Sequence, residues 1–135
     1  MTSNVQAYRA SLLHFCNDPA FDENATLWHS DGLLVIADGK VVAAGDYDSL
    51  HASLPADTMV NDWRGKIITP GFIDTHVHYP QTDIIGSPAP GLLPWLNTYT
   101  FPTEGRFGNS AHATEVADFF LAELLRNGTT TAAVY

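Results

Sequence analysis

The stretch that most constrains the fold is Pro70 to Gln81, PGFIDTHVHYPQ. Pro70 and Gly71 break the chain before a short apolar run, which delivers Asp74, His76 and His78 in alternation before Tyr79 and Pro80 end it. This pattern predicts a buried strand that finishes in ligand-type side chains. Side chains on a strand alternate faces, so Asp74, His76 and His78 share one face and the two imidazoles sit one strand repeat apart. That spacing lets both rings reach one ion. Zinc takes nitrogen ligands at about 2.0–2.1 Å, and a catalytic site uses roughly three protein ligands plus a water. His76 and His78 therefore supply part of a site. Alone, a His-x-His pair is as compatible with chance as with a metal site. Its position at the polar end of the strand favours the ligand role, because barrel enzymes keep their chemistry at the C-terminal ends of strands.

The chain has 135 residues, of which 45% are hydrophobic and 16% charged, a globular rather than a disordered composition. A complete barrel of eight strand and helix units needs about 250 residues, so only part of one fits. Fifteen acidic against six basic residues leave a formal net charge of -9. Such a chain repels phosphate backbones, and no nucleic-acid partner is expected. Cys16 is the only cysteine, which rules out an internal disulfide and a cysteine-based zinc site; it is expected as a small apolar strand residue. The start, MTSNVQAYRA, has no apolar signal core, and no run of about 18 apolar residues occurs. A cytoplasmic location without a membrane partner is the expectation.

Val5 to Phe15 suits a half-exposed strand, broken by Asn17, Asp18 and Pro19. In DGLLVIADGKVVAAGD two apolar runs flank Asp38-Gly39, a dipeptide that favours a tight hairpin turn. Asp46 to His51 predicts a helical turn, and Thr58 to Trp63 another strand, so residues 1–66 read as a small antiparallel β unit. His14, His29 and His51 share no ligand spacing and read as surface or packing histidines. From Pro80 to Gly108 the chain is rich in Pro and Gly yet carries Trp95 and several other large apolar groups. That predicts a packed loop with a short helix near Pro94 to Tyr99, with Trp95 as readily covering the fold as touching a substrate. Ser110 can cap a helix with Val116, Phe119, Phe120 and Leu124 on its apolar face, stopped by Asn127-Gly128, and with His112 facing solvent. Thr129 to Tyr135 then reads as a buried strand. Residues 67–135 are thus a βαβ portion with two parallel strands.

With these elements placed, Leu33 to Tyr135 resembles the N-terminal portion of the amidohydrolase superfamily, and in detail its guanine deaminases. The phrases that carry the likeness are HYPQ at His78 to Gln81, LLPWLNTYTFPTE at Leu92 to Glu104 and FFLAELLRNGTTT at Phe119 to Thr131. The resemblance implies an α/β fold: the N-terminal part of a (β/α)8 TIM-like barrel, incomplete in this chain, preceded by a small antiparallel β-sandwich portion. It implies one Zn2+ per full-length subunit, guanine as substrate with xanthine and ammonia as products, and homodimers of the full-length enzyme. By the motif match, His76 and His78 would be metal ligands, and His78, Gln81 and Trp95 would be candidates for contact with substrate. Gln81 matches the family's purine-binding glutamine, whose amide offers both donors and an acceptor. Asp74 would hold a backbone or outer hydrogen bond. No catalytic residue lies within this chain; the remaining His ligands, the metal-binding Asp and the proton-shuttling Glu are expected beyond Tyr135. The chain alone is then expected to be inactive. Two alternatives stay open: a non-catalytic assembly or binding module, and a deaminase of another aminated heterocycle.

Overall fold

The computed structural model describes residues 4–135. The chain falls into two compact units, Met1–Pro70 and Gly71–Tyr135. The first is built on β1 (Val5–Phe15) and β2 (Thr26–Ala37), which pair antiparallel along most of their length. β3 (Lys40–Asp46) continues the hairpin from β2. The turn works because Asp38 and Gly39 both take positive φ, 50° and 77°, as a two-residue turn matched to strand twist requires. The helical turn expected after β3 is α1 (Tyr47–Leu50), followed by a 3-10 turn at His51–Ser53.

The sheet is not wholly antiparallel, as the sequence had suggested. β4 (Val60–Ile68) lies against β1 in parallel, giving the strand order β3-β2-β1-β4. β2 occupies one edge of β1, so the returning chain satisfies the hydrogen-bonding groups on the other. Ile67 and Ile68 pair with Ser11 and Leu12, which keeps residues 67–70 with the first unit rather than the second. The core is small: Leu33 and Ala7 are fully buried, Val35 nearly so, and Tyr47, Leu50 and Val60 pack against them. Cys16 is exposed in the turn after β1 and is not a strand residue, because the chain bends there to return through Ala25.

Charge pairs link neighbouring positions on the strands of this unit. Arg9 grips Asp31 with two hydrogen bonds of 2.7 and 2.5 Å and lies over the Tyr47 ring. Asp62 accepts from the Arg64 guanidinium, at 2.6 Å for the shortest bond, and from the Arg64 backbone N–H.

The second unit begins with β5 (Phe72–Val77), which pairs in parallel with β6 (Thr129–Val134) as a two-stranded sheet. Between them run a 3-10 turn (Tyr79–Ile84), α2 (Leu92–Trp95), a π turn (Leu96–Thr100), α3 (Phe101–Glu104), a second 3-10 turn (Gly105–Gly108) and α4 (Ser110–Arg126). The segment expected as a loop with one short helix is therefore helical from Leu92 to Gly108. Its wide π turn precedes Pro102, which has no N–H to offer the Thr98 carbonyl in the ordinary α pattern. Both strands were expected to be buried, yet Phe72 and Ile73 are 66% and 69% exposed. One neighbouring strand leaves each with an open edge, and little covers the sheet.

Asn109, rather than Ser110, caps α4: its Oδ1 accepts from the backbone N–H groups of Ala111 and His112. Val116 and Phe120 form the buried stripe while Phe119 is exposed. The helix stops at Gly128, whose φ of 83° suits glycine. His112 does not face solvent as expected. The 3-10 turn before α4 places the Phe107 ring edge-on to it at 4.8 Å. Among the described residues no helix is long and apolar enough to cross a membrane.

Leu33→Ala should lower the stability of the first unit by about 2–5 kcal/mol, read as an earlier urea midpoint, since the side chain is fully buried. A second expectation concerns acid. The Arg64 guanidinium, then the Arg64 backbone N–H, hold the Asp62 carboxyl down to about 2. A depressed carboxylate adds stability that is fully present above the ordinary value near 4 and is lost as pH falls through about 2. Asp62→Asn should flatten this part of the acid limb in a pH series at low salt; an unchanged limb would remove the assigned role.

Candidate functional site

β5 ends where its chemistry begins. Phe72 donates its backbone N–H to the Gly128 carbonyl, and Tyr135 donates to Val77, so the strand is anchored at both ends. Gly71 lies so close to Thr130 that an added Cβ would meet its Oγ1 at 2.0 Å, which explains glycine at the strand's entry. His78 follows the strand with φ -114° and ψ 99°, still extended. Alternation therefore continues through His78, and the two imidazoles fall on the same side. Their Nε2 atoms lie 3.0 Å apart. Two nitrogens bound to one tetrahedral zinc would be about 3.3 Å apart, given Zn–N of about 2.0–2.1 Å. The pair thus converges as two ligands of a common ion must.

Asp74 does not join them. Its Oδ1 accepts the backbone N–H of His76 at 3.0 Å, which ties it to its own strand. Among the described residues no group of three or more His, Cys, Asp or Glu converges on one point. Among the described residues two nitrogens converge and no third ligand joins them.

Gln81 sits on the 3-10 turn just after His78, and both line a cleft of about 600 Å³ together with His76 and Trp95. Phe120 and Leu124 of α4 line the same cleft. Each residue singled out from the sequence for metal or substrate is therefore brought to one concavity. Two further residues were not anticipated. Glu104 accepts a hydrogen bond of 2.9 Å from Gln81 Nε2 in a partly buried setting. Tyr135 places its ring 4.6 Å from His76 and 5.5 Å from His78, centroid to centroid. Only the TFPTE phrase pointed toward Glu104, and nothing in local spacing linked it to Gln81. In the first unit His14 and His29, read as unrelated, meet across the β1–β2 pair with rings 5.6 Å apart, and His29 Nδ1 lies 3.0 Å from Asp46.

Residues 67–135 match the Amidohydrolase family. The chain belongs to this family. It is 45% identical to guanine deaminase of Escherichia coli (strain K12), over 97% of this chain and 30% of that protein. A solved guanine deaminase from Bradyrhizobium japonicum superposes with a TM-score of 0.88 at 35% identity, covering 96% of this chain and 29% of that one. The guanine deaminase of C. acetobutylicum, solved with guanine bound in its active site, gives 0.78 at 30% identity, over 97% of this chain and 30% of that one. The chain is thus a mixed α/β piece that matches the N-terminal part of such structures, and it spans about 30% of the length of the curated relatives it matches. Family membership implies a metal cofactor, and the convergent His76 and His78 suit part of such a centre.

Proposed function

We propose that this chain is the N-terminal part of a guanine deaminase, a zinc-dependent aminohydrolase that converts guanine and water to xanthine and ammonia. The observation that carries the reading is the 3.0 Å convergence of two imidazole nitrogens in the cleft that Gln81 also lines. The named relatives support the choice of substrate. In this reading the first unit, through Pro70, belongs to a small β-sandwich domain and the second, from Gly71, opens a (β/α)8 barrel. The complete protein would supply the other strands, act in the cytoplasm and pair as a homodimer.

His76 and His78 would hold the ion through neutral Nε2 atoms, and Tyr135 would limit rotation of both rings. When bound, zinc supplies Lewis acidity that lets water act as a nucleophile near neutral pH. His78 and Gln81 stand where a ring bound in the cleft would be touched. The Gln81 amide reads the mixed donor and acceptor edge of a purine without adding a charge. Trp95 supplies a flat apolar wall for the ring. The overall change breaks the carbon–nitrogen bond to the exocyclic amine, forms a carbonyl, and releases ammonia once the nitrogen has gained its protons. In this reading the complete protein would supply a third ligand and the group that moves those protons.

In the complete protein, guanine should yield equimolar xanthine and ammonia. His76→Ala and His78→Ala should each lose well over a hundredfold in turnover together with bound zinc by metal analysis, because loss of a mere outer-shell partner already costs about 10–100-fold. Wild-type protein that is loaded with zinc yet leaves guanine intact, while deaminating another aminated ring, would overturn the substrate. The isolated 135-residue chain with added zinc should give no xanthine, since two ligands do not complete a catalytic site.

A further inference from the structure

The Gln81 side chain is an ambiguous reader of any ligand. Its amide can flip, exchanging an acceptor oxygen for a two-donor nitrogen with little change in shape. Here the ambiguity is removed by a residue 23 positions away: Nε2 donates to Glu104 Oε1 at 2.9 Å, and both side chains are half-buried. A carboxylate oxygen accepts and does not donate, so the flipped amide would set two oxygens against each other. Oε1 and Nε2 share one plane, and seating Nε2 on Glu104 therefore seats Oε1 as well.

The carrier of Glu104 is itself held. Two residues along from each partner, Arg106 reaches Asp83 at 3.4 Å. The two ties join the turn Tyr79–Ile84 to the segment Phe101–Gly108 side by side. Thr103, next to Glu104, is buried. Gln81 lines the cleft with His76 and His78, whereas Glu104 does not line it. The contact that links Glu104 to the cleft is its hydrogen bond with Gln81.

We propose that Glu104 is a positioning residue that locks the Gln81 amide in one flip state, so that Gln81 meets the ring as a fixed acceptor for a ring N–H. The inference rests on the proposed deaminase reading for its substrate, an aminated heterocycle with an N–H on the edge that Gln81 faces. A freely flipping amide would bind rings with an acceptor there almost as well; a locked one discriminates against them, because two acceptors would then face each other.

The test is steady-state kinetics with guanine on the complete protein, comparing wild type with Glu104→Ala, Glu104→Asp and Glu104→Gln. Glu104→Ala frees the amide, and KM should rise about fivefold to tenfold, the cost of ordering one freed side chain when the ring binds, while kcat and zinc content stay within about threefold. Glu104→Asp keeps the charge but falls one methylene short and should behave like Ala. Glu104→Gln keeps the size but brings an amide that can flip together with Gln81, accepting from its Nε2 or donating to its Oε1, so it holds no single flip state and KM should stay raised as in the Ala variant. If the Ala variant does not fold, Glu104→Gln, which keeps the shape and can still bond Gln81, carries the test. A wild-type KM in the Ala, Asp or Gln variant, or a fall in kcat with KM unchanged, would each overturn the lock. Absence of guanine turnover in zinc-loaded wild type would instead overturn the deaminase reading beneath it.

Discussion

The parallel pairing of β5 with β6 is the constraint on which the second unit depends. Hydrogen bonds hold Phe72 to Val77 extended, with Phe72 tied to Gly128 at one end and Val77 to Tyr135 at the other. An extended backbone repeats every second residue, so His76 and His78 fall on one side and their Nε2 atoms approach to 3.0 Å. A single residue of helical backbone between them would turn one ring away. The same pairing delivers the Tyr135 ring against both imidazoles, which restricts their rotation without using a polar atom. Gly71 makes the pairing possible, because its bare backbone lets β5 start hard against Thr130.

The cleft beside this strand joins two kinds of order. Strand alternation orients the histidines, which needs only local geometry. The Gln81 amide is oriented by a carboxylate from a distant helical segment, which needs that segment to dock. Its irregular shape, with a π turn before Pro102 and a 3-10 turn after Glu104, follows from a proline that cannot complete the ordinary helical ladder. The result is a rigid polar contact on a stretch whose composition resembles a loop.

The first unit shows a different balance. Its core is little more than Leu33, Ala7, Val35 and their partly buried neighbours, and its two long central strands carry most of the order. Arg9 with Asp31, and Asp62 with Arg64, sit on exposed positions, where solvent screening limits what an ion pair adds. Backbone pairing and the Asp38-Gly39 turn therefore matter more here than charge.

By itself the sequence determined what depends on near neighbours. Val5 to Phe15 as a strand, the hairpin at Asp38-Gly39, the stop at Gly128 and the convergence of His76 and His78 all follow from periods of a few residues and from backbone preferences. Motif likeness added the family, which the match over residues 67–135 shows. Only the tertiary structure decided contacts between residues far apart in the chain: β4 running parallel to β1, the Tyr135 ring packing on His76 and His78, Glu104 seizing the Gln81 amide. The physical reason is that each of these satisfies a hydrogen-bonding group or buries a ring only after another segment has arrived, and no local pattern records where that segment will lie. The same reason leaves β5 and β6 exposed, because a buried strand is buried by its neighbours and not by its own residues.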